Sequence, residues 1–426
     1  MRRALDYDHM PAPATPLAFL LAAPWFGAAA GLVAAWYGPD VFASRWHPAA
    51  LAAVHLVTLG MLTMTMAGSL LQMLPAVAGL PLAGAVGGAR RAWMPLGAGA
   101  ALLAAAFLSG RAPLFALGAG LLAGAFALLL ACLLPTLWPR RRRAPAAVGH
   151  IVSGMRAACA ALVACIAAGL ALAAWLAGGP AVPVPALVDV HAGLGLAGWV
   201  VPLVLAVSFQ VIPMFQATGP FPARPARLLV PLVLLALALW SAGRWLDGGW
   251  RLPAALAGAA LVTLYACQAA TLLRRARSSS GSAAGTAYWL LALAALVGAA
   301  WLFAWPGEAS DARSAAVGVC FLPGFALSAV NGMLYRIVPF LVWYHVRARA
   351  APDVPVPKIA DLIGPARARL QGRWHLAAVL AGLGACAWPG LARPAGVLLA
   401  VACLRLGLDL ARPVLRYRRE LRGGSP

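Results

Sequence analysis

The residues in this chain best suited to hold a metal or carry a proton are its seven histidines. Five lie where an apolar segment begins or ends, or close to a terminus: His9, His47, His150, His345 and His375. Those positions suit interfacial side chains better than ligands. His55 and His191 differ, because each sits about two turns or less inside an apolar segment, at similar depth from the same side. Neutral imidazole is a common ligand for haem iron, copper and zinc, and an ionisable group inside a membrane helix is a functional candidate by default. For either residue alone, ligand and structural histidine are equally good readings.

Other side chains nearby admit two readings each. Asp189, two residues before His191, is placed to orient an imidazole through a hydrogen bond or simply to be solvated. Met61, Met64, Met66 and Met73 share a segment with His55. Thioethers suit Cu(I), although methionines at such spacing more often fill core gaps. Cys320 lies at comparable depth in a third segment and reads as a small buried hydrophobe. The seven cysteines form no C-x-x-C pair and leave the redox compartment open.

The elements that must position these residues are membrane helices. With 63% hydrophobic and 10% charged residues over 426 positions, the chain has too few charges to solvate a globule of that size. The apolar residues fall in runs of roughly 20, the span of a bilayer helix, and barrel strands would be shorter and alternating. Spans are expected near 16–38, 48–75, 92–109, 113–136, 150–177, 185–214, 225–246, 252–273, 287–305, 312–345, 374–391 and 394–412. The first is too long for a signal-peptide core and reads as a retained helix.

Arginine separates by loop parity. Even connections carry Arg90 and Arg91, Arg140 to Arg143, Arg224 and Arg227, then Arg274, Arg275 and Arg277, then a basic stretch over 347–373. Odd connections carry isolated arginines, often beside acids, such as Arg45 with Asp40. The positive-inside rule then puts the even loops and both termini in the cytoplasm of a bacterial inner membrane. The chain reads as one polytopic domain over 1–426, in which 347–373 is a basic cytoplasmic loop opening on a proline-rich, extended run. The net charge of +22 lies in short loops, so anionic lipid headgroups are its partner and nucleic acid is not.

One ungapped pattern occurs three times: Gly, seven residues, a small residue, three residues, a polar residue, two residues, Pro. Its members are Gly60, Gly68, Gln72, Pro75; Gly198, Ala206, Gln210, Pro213; and Gly324, Gly332, Arg336, Pro339. They fall in the second, sixth and tenth spans, so an all-α membrane protein of twelve transmembrane helices in three pseudo-repeated four-helix units is expected. Abundant Gly and Ala make small-residue matches cheap, and such residues also mark close helix contacts. His55 lies five residues before its Gly and His191 seven before its own, about 200° apart around a helix. Under strict threefold symmetry the two rings would not point alike, which leaves a shared site and two separate sites both open.

The run HLVTLGMLTMTMAGSLLQMLP, His55 to Pro75, resembles the second helix of haem-copper oxidase subunit I. It is more similar still to the NnrS family of twelve-helix haem- and copper-containing membrane proteins linked to nitric oxide tolerance. The resemblance implies a haem, with copper also possible in principle, held through His55 and His191, and a role in nitric oxide response or respiratory redox physiology with an electron-donating partner. It leaves Arg45 and Arg393, among Arg111, Arg251 and Arg313, as propionate partners. The departures are specific. The seventh span lacks the histidine pair of an oxygen-reducing centre, and the tenth holds only His345 at its far end. Val54 and Leu56 flank His55 where NnrS-like chains carry further histidine and glutamate. The first departure argues against oxygen reduction with proton pumping, and the second means that the metal inventory of NnrS-like chains does not carry over whole. Two other classes compete: a transporter or permease with no prosthetic group, whose path is lined by Gln72, Gln210, Asn331, Tyr335 and Arg336, and a metal-free scaffold subunit.

Overall fold

Lipid offers backbone N–H and C=O groups no partners, so a chain of this composition must satisfy them within helices. The computed structural model describes residues 11–83, 86–139, 145–276, 283–308, 310–347 and 358–423, and every regular element among them is helical. The long helices are α1 (Ala14–Tyr37), α2 (Pro48–Ala76), α3 (Trp93–Ser109), α4 (Ala112–Leu137), α5 (Gly149–Leu176), α6 (Val184–Gln216), α7 (Ala223–Trp245), α8 (Arg251–Arg275), α9 (Ala283–Ala304), α10 (Asp311–Arg347), α11 (Pro365–Ala385) and α12 (Ala392–Gly423). Among the described residues, ten helical stretches are long and apolar enough to cross a membrane, so the chain is a multi-pass helical membrane protein. The helix α3 is shorter but apolar, and α11 carries Arg367, Arg369 and Arg373.

Two expected boundaries are corrected. The eleventh helix begins at Pro365, not near 374, so the last part of the expected 347–373 loop is helix. Its arginines are exposed, whereas Ala368, Gln371, His375, Ala378 and Gly382 are buried at helical spacing. His375 is therefore not interfacial: it lies about three turns inside α11 and is fully buried. The twelfth helix runs past 412 to Gly423. Arg2, Arg3, His9, Arg140 to Arg143, Arg277 and the proline-rich run 351–357 lie outside the described residues.

Consecutive helices pack on one another all the way round, and α12 returns to pack along α1. The most enclosed of the candidate spans are α2, α6 and α10. Each contains an underwound π-helical stretch: Leu56–Thr63, Leu194–Val200 and Cys320–Leu327. All three begin four residues before the repeated glycine, at Gly60, Gly198 and Gly324. Eight residues of α-helix overshoot two turns by about 80°, and a π turn takes in roughly one extra residue. Underwinding thus returns the second small residue to the face of the first.

That face meets the preceding helix in every case. A Cβ on Gly60 would stand 2.4 Å from the Phe26 ring, on Gly198 2.9 Å from Ala161, and on Gly324 2.8 Å from Ala295. One repeat lower, Gly68 and Gly332 abut Phe19 and Tyr288 at 2.9 and 2.8 Å, and Ala206 abuts Gly154. The widened turns expose carbonyls that side chains answer, with Thr63 Oγ1 donating to Thr58 O at 2.8 Å and Ser328 Oγ to Pro323 O at 3.3 Å.

The α1–α12 seam is closer still. A Cβ on Gly31 would lie 2.4 Å from Ala400 N and one on Gly396 2.3 Å from Ala35 N, so backbone meets backbone and neither side can yield. Gly396→Val is expected to cost about 1–3 kcal/mol or more through overpacking. In thermal unfolding of detergent-solubilised protein it should lower the midpoint by several degrees, while Gly120→Val, with nothing within 4 Å, should not. Equal midpoints would contradict the seam.

Candidate functional site

His55 ends the α-helical first part of α2, directly before its π turn, and His191 sits three residues before the π turn of α6. The fold brings them together. Their ring centroids are 6.4 Å apart with planes 12° from parallel, within the range of offset parallel rings. The ring of Phe107 from α3 lies 5.0 Å from that of His55. Gly169 of α5 makes room for the other, since a Cβ there would fall 2.9 Å from His191 Cε1.

The hydrogen bonds fix both tautomers. His55 Nδ1 lies 2.8 Å from Leu51 O and His191 Nδ1 3.1 Å from Cys165 O. A carbonyl only accepts, so Nδ1 carries the proton in each ring and Nε2 keeps its lone pair; the Cys165 thiol, 3.6 Å from His191 Nδ1, places its own proton on His191 O, also at 3.6 Å. Among the described residues neither Nε2 has a protein hydrogen-bond partner. A backbone carbonyl on the remote nitrogen is the usual support of a metal-ligating histidine. Both rings keep part of their surface accessible, and Val184–Gly193, the first part of α6, has no buried residue.

Asp189 does not orient either imidazole. Its two oxygens are taken by Arg45 Nη1 and Arg244 Nε, each at 2.8 Å, the second without hydrogen-bond alignment. This clamp ties the approach to α2 and the end of α7 to α6, two residues from His191. Arg45, expected to face a propionate, is engaged by Asp189 and lies over the Trp46 ring at 4.6 Å. Arg393 packs along Gly38 at the end of α1. Gln72 is buried in α2, and Gln210 and Arg336 are half-buried in α6 and α10.

Asn331 and Tyr335 are drawn into a second polar cluster. Tyr335 donates to Asp409 Oδ2 at 3.0 Å, and Asn331 Nδ2 lies 3.4 Å from His375 Nδ1. His375, Gln371, Tyr288 and Asp409 escaped sequence reasoning, although the spacing of Gln371 and His375 with buried alanines was visible. The methionines do what packing requires, with Met61 against Gly27 and Met64 against Gly97.

Two donors are all that the pair offers. Among the described residues no group of three or more His, Cys, Asp or Glu side chains could hold a metal ion. A bare copper or zinc ion wants three or four protein ligands, whereas haem iron asks for only its two axial ones. Two neighbouring imidazoles, each with Nδ1 on a carbonyl, are the donor set that would hold a haem iron.

Asp189→Asn removes the carboxylate charge that pairs with both the Arg45 and Arg244 guanidinium groups. With Arg45 half exposed the loss is expected to be about 1 kcal/mol, and the variant's thermal midpoint should fall at low salt and recover part of the loss at high salt. A midpoint equal to wild type at low salt would contradict the clamp. In comparison with known proteins, no family model matches this chain and no curated protein is significantly similar to it.

Proposed function

We propose that this chain is a haem-binding protein of the bacterial inner membrane, in which His55 and His191 would hold the haem iron. The observation that carries the reading is the imidazole pair: two rings from α2 and α6 at 6.4 Å, each with Nδ1–H placed on a backbone carbonyl and Nε2 left as a donor to metal. A haem held by His55 and His191 would supply one-electron transfer. The chain's own contribution is to fix both tautomers, to hold the rings at a set separation and to keep them in an apolar shell. Two donors suit haem better than copper alone.

Counting α3 and α11 as spans gives twelve transmembrane helices in three four-helix units, related as in haem-copper oxidase subunit I and NnrS-like proteins. The recurrence of π turns and small-residue seams at matching positions supports that plan. Arginine parity supports cytoplasmic termini. The resemblance then points to nitric oxide response or respiratory redox physiology, with a respiratory electron donor.

Protein purified from haem-replete cells should show a Soret band of six-coordinate, low-spin haem. His55→Ala and His191→Ala should each lower haem occupancy at least about tenfold or convert the remainder to high spin. Wild-type protein that takes up no haem would overturn the reading and leave the permease and scaffold classes standing.

A further inference from the structure

The connection between α2 and α3 carries two arginines for which the surrounding chain has no counter-charge. It contains a short helix, Val86–Arg91, that packs against α1, α3 and α4. Just ahead of it, Ala83 N donates to Thr136 Oγ1 of α4 at 2.9 Å. Ala89 and Ala92, three residues apart, are both fully buried, which fixes the inner face of this connection and turns Arg90 and Arg91 outward. Both arginines are exposed.

No Asp or Glu occurs between Asp40 and Asp189, and α1 has none either. The three helices against which the short one packs therefore carry no carboxylate. Among the described residues neither guanidinium has an ion-pair partner. Elsewhere the chain neutralises arginines internally, Arg45 and Arg244 on Asp189, and Arg367 and Arg412 on Asp409. The charge of Arg90 and Arg91 has to be answered from outside the chain.

The two arginines line an open groove of about 370 Å³ together with Gly87, Trp93 and Met94. A Cβ on Gly87 would meet nothing within 4 Å, so the groove is vacant on that side as well. From its mouth a track leads along α3 toward the middle of the bundle. Met94 is exposed, and Ala98, Ala101 and Ala105 follow it at spacings of four, three and four, all exposed. Small side chains over these three turns leave a channel about 16 Å long on the face that the hydrocarbon covers. A guanidinium pair suits a phosphate, an indole suits the ester level, and the alanine track suits a fatty chain. A free phosphate would use only the first of these features.

We propose that this groove holds one anionic phospholipid, with its phosphate at Arg90 and Arg91 and an acyl chain along the Met94–Ala105 side of α3. A zwitterionic lipid brings its own cation to two guanidinium groups, so a headgroup of net negative charge is selected. This inference stands independently of the haem reading.

Photocrosslinking tests it. The full chain is placed in phosphatidylcholine nanodiscs that contain a small fraction of phosphatidylglycerol bearing a diazirine on its acyl chain, and adducts are mapped by mass spectrometry. The matching phosphatidylcholine probe is the neutral control. Each arginine near the surface is worth about fivefold, so phosphatidylglycerol should label the segment 94–105 at least about tenfold more than phosphatidylcholine does. Arg90→Gln with Arg91→Gln should abolish that preference. An equal charge loss at the exposed end of α8, Arg274→Gln with Arg275→Gln, should leave it intact. Gly87→Phe fills the groove at constant charge and should also lower labelling, and it carries the test should the double arginine variant not fold. Equal labelling by the two probes, or a preference that survives in a folded groove variant, would overturn the proposal. Loss of labelling on adding inorganic phosphate at the probe's concentration would overturn it too, since the groove would then take the free anion.

Discussion

A neutral imidazole inside a lipid-solvated bundle has one N–H to place, and its acceptor decides which nitrogen is left with a lone pair. His55 uses a carbonyl one turn back in its own helix, and His191 uses a carbonyl of α5. The two solutions differ in origin but leave the same atom, Nε2, without a proton. Everything proposed about the metal centre depends on this. Were a donor such as the nearby Cys165 thiol to hold His191 Nδ1 instead, the ring would present a protonated Nε2 and would have to shift that proton before it could ligate.

Bringing such rings together is a matter of helix winding. Underwound turns let α2, α6 and α10 lie close along α1, α5 and α9, since they align small residues eight apart on one face. The offset between His55 and His191 does not keep the rings apart, since their centroids lie 6.4 Å from one another.

Much of this was legible in the residues. Run lengths located most helices within a few positions, and the recurrence of Gly, small residue and Pro marked the inner three. Depth alone singled out His55 and His191. Their mutual approach was not legible, because it depends on how helices far apart in sequence are set beside one another. Asp189 was noticed, but its two arginine partners come from separate connections. The α11 start was missed because mean hydropathy averages Arg367, Arg369 and Arg373 with the buried stripe they flank. Asp409 was passed over because charges near 405–412 read as a helix end, whereas Tyr335, Arg367 and Arg412 enclose it.

The molecule therefore treats its buried polar groups in two ways. One pair of imidazoles keeps lone pairs in reserve, and another, His375, has both ring nitrogens engaged, by Ser328 and Asn331. The first arrangement is the central claim, and electron cryomicroscopy of the chain purified from haem-replete cells tests it most directly. Density for a macrocycle between the two rings, bonded at Nε2 on each side, is the predicted result. A map in which His55 and His191 are well ordered, with only side chains or lipid between and around them, would contradict it.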